Sequence, residues 1–205
     1  MSYDFGIAYK TLKKDPVMRQ VINITGVFRP ERKRRDIYGS LLRSVTGQQL
    51  SVKAAATIHN RFLDLFPNRD PEPLKVLKLS TEKLRSVGLS GQKSSYVISV
   101  ADHALRGELE FKNIIKLDDE QLIQKLTAIK GIGVWSAQMV MMFALQRPDV
   151  FPVGDLGIQI SMKSQYGIKS EGKALHHKMH QISEPWRPYR TLACRHLWAV
   201  RDGGV

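Results

Sequence analysis

Apolar side chains recur along most of this chain at intervals of three and four residues, and this spacing limits the possible folds. The stretches Ser51–Phe66, Gln92–Arg106 and Val134–Gln146 each place apolar residues on one helical face. Alternation of apolar and polar residues is scarce, and Val21–Phe28 is the best candidate for a strand. We therefore predict an all-α protein of about ten short helices, each near the usual three turns.

Local signals predict where several of these helices begin and end. Asp118 with Gln121 three residues later forms a predicted capping box. Gly107 is a predicted C-terminal stop for the helix over 92–106, and Pro148 ends the helix before it.

The 205 residues, 42% of them hydrophobic, suffice for one compact two-lobed helical domain spanning 1–205. We predict a central helical lobe over about 36–148, and a second lobe from 1–35 plus 149–205. Polar or proline-containing stretches at Phe28–Arg35 and Arg147–Gly154 mark the predicted seams.

The chain is strongly basic, with 32 Lys and Arg against 19 Asp and Glu, a net charge of +13 and a pI near 10.0. A polyanion is the expected partner, either nucleic acid or an acidic membrane surface, and the alternative is a merely soluble charged surface. The run Arg32–Arg35 either follows phosphates or is a solvated loop.

The single cysteine, Cys194, excludes an internal disulfide and a four-cysteine iron–sulfur or zinc site. His176 and His180 share a helix face but have no evident third ligand, so neither a metal nor another cofactor is expected.

Met1–Lys14 has no apolar core of signal-peptide length, and no apolar stretch could span a membrane. We expect an intracellular monomer that does not contact membranes, in the cytoplasm or nucleoid of a bacterium or the nucleus of a eukaryote.

The segment Leu126–Ala137 (LTAIKGIGVWSA) predicts two helices joined by a very short connection. Gly131 and Gly133 flank Ile132, which we expect to pack between the helices. Glycines allow unusual backbone angles and close approach to another surface, and the second helix begins with N–H groups that suit a phosphate oxygen. The alternative is an ordinary tight connection between antiparallel helices.

Five stretches in order resemble one known family. Residues 129–137 resemble the hairpin of the helix-hairpin-helix DNA glycosylase superfamily (HhH-GPD), and Val150–Gly157 (VFPVGDLG) resembles its active-site loop at the same spacing. Three more stretches resemble the 3-methyladenine DNA glycosylase II branch. They are Gly47–Ala55 (GQQLSVKAA), Gly88–Lys93 (GLSGQK), and Pro185–Arg190 (PWRPYR) with His196–Trp198 (HLW). Together the motifs cover residues from about 36 to 200.

The resemblance implies a catalytic role for Asp155. Cleaving an N-glycosidic bond builds positive charge on the deoxyribose, and a carboxylate near that carbon stabilises the charge and can orient the attacking water. An aspartate directly before a predicted helix is also a good N-cap. The two roles can coexist.

The same resemblance implies the reaction type and the substrate. Family members that also cut the strand carry a lysine two residues after the second hairpin glycine, where this chain has Trp135, so we predict a monofunctional enzyme. Trp135 and Trp198, and with them Tyr38, fall where the family has aromatic residues lining the base pocket. They suit flat, cationic purines such as 3-methyladenine and 7-methylguanine, although a tryptophan on a helix face is more often part of the core.

The resemblance also implies how duplex DNA is held. The hairpin residues Lys130, Gly131, Ile132 and Gly133 are expected to bind phosphate. A target base must leave the stack, and Gln48, Gln49 and Leu50 lie where the family carries its wedge, with Gln49 aligning best. A polar turn that caps the next helix is the alternative.

Two other functions fit the same motifs. A non-catalytic protein could hold DNA with the hairpin and the positive charge, and a glycosylase could act on uracil or mismatched thymine. A carboxylate facing phosphates disfavours the first, and tryptophans at the pocket positions disfavour the second.

Overall fold

A computed structural model describes residues 4–28 and 36–203, except for the side chain of Val52. Across these residues the regular structure is helical and no strand occurs, which confirms the predicted all-α class. The basic run Arg32–Arg35 lies outside the described residues. Thirteen α-helices occur in the described part of the chain: α1 Phe5–Leu12, α2 Pro16–Thr25, α3 Ile37–Gly47, α4 Val52–Leu63, α5 Pro73–Leu77, α6 Thr81–Ser86, α7 Gly91–Leu105, α8 Phe111–Ile114, α9 Asp119–Thr127, α10 Val134–Met139, α11 Leu156–Tyr166, α12 Gly172–Ser183 and α13 Arg190–Arg201.

Three short helical segments of other types supplement these helices. Two are 3₁₀ turns, Pro67–Arg69 and Glu184–Trp186, and the third is a π-helical segment, Val140–Ala144, that continues directly from α10. The predicted helix over 134–146 is therefore wrong in its second half, where the backbone widens into a π turn. Residue spacing alone does not reveal such a turn, because it requires only one extra residue per turn.

Val21–Phe28, the best candidate for a strand, is not one, because residues 21–25 belong to α2. Local signals favour the helix. The Asp15 side chain accepts hydrogen bonds from the N–H groups of Val17 (2.9 Å) and Met18 (3.1 Å), and Pro16 occupies the first turn. Gly26, with φ 70°, ends the helix. The capping box predicted at Asp118 and Gln121 is present at the start of α9.

The described residues fall into two compact units. The terminal unit contains residues 4–28 and 141–203, and the central unit contains residues 36–140. In the terminal unit, α13 packs against α11 and α2, while α1 and α12 contact the 3₁₀ turn at 184–186. In the central unit, α7 packs against α3, α5 and α6, α3 packs against α4, and α9 packs against α10. No helix of the described residues is long and apolar enough to cross a membrane.

Each unit contains a buried histidine that hydrogen-bonds to a threonine. The Nδ1 of His59 lies 3.0 Å from Thr46 Oγ1 in the central unit, and the Nδ1 of His196 lies 2.6 Å from Thr25 Oγ1 in the terminal unit. Burial, together with the charge of nearby arginines, lowers the pKa of each ring to about 4. Both histidines are therefore neutral at pH 7.

These histidines predict that the protein loses stability in mild acid. Each ring binds a proton more readily in the unfolded chain, where its pKa is 6.5, than in the folded protein, where it is about 4. The free energy of unfolding should fall as the pH drops from 7 towards 5, by up to about 1.4 kcal/mol per pH unit for each histidine. Urea unfolding curves at several pH values measure this slope. His59→Gln should reduce the slope by about half, and an unchanged slope would contradict the assignment.

Candidate active site

Asp155 lies at the start of α11 in the terminal unit and is half-buried. Its backbone is extended, with φ −74° and ψ 121°, and its Oδ1 accepts a hydrogen bond from the N–H of Ile158 at 2.8 Å. Its own N–H donates to the carbonyl of Pro152 at 2.9 Å. The predicted N-cap is confirmed; the bond from Ile158 orients the carboxylate, and the bond to Pro152 holds the backbone that carries it.

Trp198 of α13 provides a second donor to the same oxygen. Its indole Nε1–H donates to Asp155 Oδ1 at 2.9 Å. This indole also stacks on Phe143, with ring centroids 6.0 Å apart and planes inclined by 28°. The terminal unit thus joins one carboxylate and two aromatic rings in a single cluster.

Phe143 was not among the residues singled out from the sequence. It lies in the π-helical segment Val140–Ala144 and is 45% exposed, which is unusual for a large apolar ring. A π turn inside a helix is frequent at functional sites. In the apolar pattern of the sequence, Phe143 looks like one more core residue of a regular helix. The π turn in the backbone is what marks it as a candidate site residue.

Side chains of α13 hold the loop that leads to Asp155. The Thr191 hydroxyl donates to the carbonyl of Arg147 at 2.7 Å and accepts from the N–H of Val150 at 3.0 Å. The Cys194 sulfur lies 3.9 Å from the carbonyl of Val150. Residues 191, 194 and 198 follow each other at helical spacing, so one face of α13 contacts the loop, and its last contact is with Asp155.

An ion pair fixes the start of the same loop. Arg190 is 8% exposed, and its guanidinium donates to both carboxylate oxygens of Asp149, at 2.7 and 3.0 Å, and to the Asp149 carbonyl at 3.1 Å. Arg187 donates to Asp149 as well, at 2.6 Å. This geometry gives Arg190 a structural role, because its fork is occupied within the protein.

Gly157 is the one position in α11 where a side chain would meet the cluster directly. A Cβ there would overlap the guanidinium of Arg201 and lie 3.1 Å from Asp155 Oδ1. The glycine therefore leaves room for an arginine and the carboxylate at the same end of the helix.

Cys194 carries no nucleophilic chemistry in this cluster. Burial raises the pKa of its thiol far above the usual range, and the charge of Asp155 raises it further. The expectation that Cys194 packs within the last helix is confirmed.

The predicted hairpin lies in the central unit, between α9 and α10. Gly131 has φ +89°, which favours glycine, and the Tyr96 ring occupies the space where a Cβ would begin. Ile132 is buried, as expected, and Lys130 is exposed. Gly133 is exposed and extended, with φ −94°, so it has no conformational need for glycine. Its missing side chain leaves the start of α10 accessible.

The predicted wedge residues follow α3 in the same unit. Gln49 and Leu50 are exposed in a tight turn, with Gln49 at φ 57°. Gln48 is half-buried, and its Nε2 donates to the carbonyl of Gly131 at 2.8 Å. Lys93 donates to the carbonyl of Thr46 at 3.2 Å, at the C-terminal end of α3.

The remaining predicted aromatic residues of the central unit differ in exposure. Trp135 lies in the first turn of α10 and is 46% exposed. Tyr38 is half-buried, and its hydroxyl donates to the carbonyl of Pro71 at 2.8 Å. Burial raises the pKa of Tyr38, and the charges of Asp36 and Asp70 raise it further.

The histidines of α12 contact polar and aromatic side chains. His176 hydrogen-bonds through Nε2 to Gln159 at 3.0 Å, and the ring of His180 lies edge-on to Phe151. Within the described residues, no group of three metal-binding side chains comes together.

Comparison with known proteins identifies the family. The model of the HhH-GPD superfamily of base excision DNA repair proteins matches residues 42–188, well over half of the chain. The chain belongs to this superfamily. The HhH-GPD chain is also 33% identical over 188 residues to DNA-3-methyladenine glycosylase 1 of Schizosaccharomyces pombe, covering 90% of this chain and 82% of that protein.

Two solved HhH-GPD structures resemble the fold. The 3-methyladenine DNA glycosylase of Schizosaccharomyces pombe in complex with abasic DNA matches with a TM-score of 0.87 and 31% identity, over 96% of this chain and 97% of that one. The DNA-3-methyladenine glycosidase of Bacillus halodurans matches with a TM-score of 0.82 and 36% identity, over 99% of this chain and 92% of that one. The superfamily and the 3-methyladenine branch, both predicted from the sequence, are confirmed.

The contact between α13 and the loop at 147–153 of this HhH-GPD protein can be tested at Thr191. Thr191→Val keeps the side-chain shape but leaves the Val150 N–H and the Arg147 carbonyl without their partner, which should cost about 1–3 kcal/mol of unfolding free energy. Thr191→Ser keeps the hydroxyl and should cost less. Denaturant unfolding curves of both variants measure the difference, and equal losses would argue against the hydroxyl bridge.

Proposed function

We propose that this protein is a monofunctional DNA glycosylase that removes alkylated purines, of the 3-methyladenine and 7-methylguanine type, from duplex DNA. The observation that carries the proposal is the cluster in the terminal unit, where the indole of Trp198 both donates to Asp155 and stacks on an exposed Phe143. The names of the relatives, 3-methyladenine DNA glycosylases, agree with this substrate.

The chemistry follows from the charge of the carboxylate. As the bond between deoxyribose C1′ and the base nitrogen lengthens, positive charge develops on the sugar. Asp155 provides the compensating negative charge in a fixed position, because Ile158 N–H and Trp198 Nε1–H both bind its Oδ1. A carboxylate that needs no reorganisation when charge develops stabilises the transition state more than the ground state.

The reaction balances without a cofactor. A water oxygen bonds to C1′, the glycosidic bond breaks, and its electron pair leaves with the base. An N-alkylated purine starts as a cation and leaves neutral, so the one proton released comes from the water. Asp155 is the base within the cluster that can orient that water and accept the proton.

The aromatic rings of the cluster explain the preference for a cationic base. The electron-rich face of an indole attracts a flat cation more strongly than a neutral base. Trp198 and Phe143 already stack, so a purine placed against them continues the stack. Trp135, 46% exposed in the central unit, is a further candidate for base contact, and Tyr38 is another.

Two features support duplex DNA as the substrate. The net charge of +13 suits a polyanion, and the hairpin residues Lys130, Gly131, Ile132 and Gly133 present an exposed lysine and an unobstructed backbone to a phosphate. A base in the duplex must be turned out before it reaches any pocket, and the exposed Gln49 and Leu50 are the residues we assign to the vacated stack. We expect the enzyme to work where the cell keeps its genomic DNA.

The absence of strand cleavage is part of the proposal. A glycosylase that also acts as a lyase forms a Schiff base through a lysine, and Trp135 stands at the corresponding position of this hairpin. Water is then the nucleophile, and the product is an intact strand with an abasic site.

Asp155→Asn tests the central claim. Asparagine still caps α11 and still accepts from Trp198, so the variant removes the charge while keeping the geometry. Single-turnover release of methylpurines from alkylated duplex DNA should fall at least about 100-fold. Binding to the same duplex should persist or tighten, because a negative charge is lost next to DNA.

The same assay tests the absence of lyase activity. The native protein should release free methylpurines and leave strands that break only after alkali, and borohydride should trap no covalent complex. If the native protein binds DNA but releases no base from alkylated, deaminated or mismatched substrates, the protein is a DNA-binding module. Release of only uracil or mismatched thymine would assign it to the pyrimidine glycosylases.

Trp198→Phe tests the orientation of the carboxylate. The substitution keeps a flat aromatic ring against Phe143 but removes the N–H that binds Asp155. We expect the single-turnover rate to fall about tenfold to a hundredfold, because the carboxylate gains freedom to turn away.

Trp186→Phe is the matched control, since the Trp186 indole also donates to an aspartate, Asp15, at 3.0 Å. That variant should lose stability but keep its rate at a temperature where it is folded. Equal rates for both variants would show that the Trp198 bond does not orient the carboxylate.

A further inference from the structure

The Gln48 side chain turns towards the hairpin and does not extend into solvent. Gln48 ends α3 and is half-buried, and its Nε2 donates to the carbonyl of Gly131 at 2.8 Å. The two residues that follow it, Gln49 and Leu50, are exposed. Neighbouring positions of one turn therefore face different surroundings, one bonded to the hairpin and two open to solvent.

A second contact joins α3 to the other side of the hairpin. The Ser44 hydroxyl donates to the Ser136 hydroxyl at 2.8 Å, and Ser136 is buried in the first turn of α10. Ser44 lies in the last turns of α3, and Gln48 directly follows the helix. The C-terminal end of α3 therefore contacts the hairpin at Gly131 and again beyond Gly133, at Ser136.

The hairpin needs such support at Gly131. A glycine at φ +89° has access to other backbone conformations, so nothing in its own chemistry fixes the direction of its carbonyl. The Tyr96 ring lies against its Cα, and Gln92 Nε2 donates to the Tyr96 hydroxyl at 2.6 Å. Gln48 holds the carbonyl itself, and therefore the peptide plane between Gly131 and Ile132.

From these contacts we infer that Gln48 is a positioning residue of the DNA-binding hairpin and does not enter the base stack. Its amide fixes the Gly131 peptide and at the same time ties the hairpin to the turn that carries Gln49 and Leu50. This hydrogen bond helps to keep the residues that fill the stack at a fixed spacing from the residues that hold the phosphate. The inference rests on the proposed function for the identity of the nucleic acid, and on the central unit alone for its geometry.

Gln48→Met and Gln49→Met form a matched pair for the test. Methionine has the length of glutamine but no N–H donor. Amide hydrogen exchange of residues 131–134, and the affinity for undamaged duplex DNA at several salt concentrations, report on the hairpin. Gln48→Met should speed exchange in these residues and weaken duplex binding about threefold to tenfold, with a flatter salt dependence. Gln49→Met should leave hairpin exchange unchanged and slow base release from alkylated duplex.

Gln48→Lys provides the rescue, because lysine is one bond longer than glutamine and returns an N–H donor that can still reach the Gly131 carbonyl. Its hairpin exchange should return towards that of the native protein, which a general loss of stability in Gln48→Met would not predict. If Gln48→Met leaves exchange and duplex affinity unchanged and slows base release as Gln49→Met does, Gln48 belongs to the wedge and the inference is wrong. Exchange and duplex affinity do not require base release, so they test Gln48 even if the native protein proves to release none.

Discussion

One oxygen of the Asp155 carboxylate accepts two hydrogen bonds, one from the backbone of α11 and one from the indole of Trp198 in α13. This shared oxygen requires the two helices of the terminal unit to keep a fixed separation. Their packing and the contacts of Thr191 and Arg190 with the loop at 147–153 maintain that separation. The position of the Asp155 carboxylate therefore depends on how well α13, which carries the Trp198 donor, is held in place. The chemistry of the carboxylate therefore depends on the whole length of α13.

The central unit follows the same rule with different groups. Trp198 binds Asp155 across 43 residues of sequence, and Gln48 binds Gly131 across 83. In each case a long side chain, Trp198 or Gln48, forms a hydrogen bond that holds a short connecting segment distant in sequence. Glycine provides the close approach in both places: Gly131 admits the Tyr96 ring, and Gly157 admits the guanidinium of Arg201. Positions that look like simple turn residues are thus constrained by distant partners.

These long-range bonds also explain which features the sequence predicts. The all-α class, the cap at Asp155, the capping box at Asp118 and the burial of Ile132 follow from signals within a few residues. Val21–Phe28, the best candidate for a strand, belongs to α2 as far as Thr25, because Asp15 and Pro16 just before it start a helix. Phe143 was missed because a π turn leaves no mark in apolar spacing. The bond from Gln48 to Gly131 joins residues too far apart for any local pattern to connect them.

The burial of Cys194 has a consequence for a protein that handles alkylation damage. Methylating agents attack soft nucleophiles, and a cysteine reacts with them as the thiolate. The chain has a single cysteine, and its sulfur is enclosed beneath the active-site loop with a raised pKa. The sulfur therefore stays protonated and out of reach of the reagents that create the substrate. The one thiol of this chain is thus shielded from the class of reagent whose products the protein repairs.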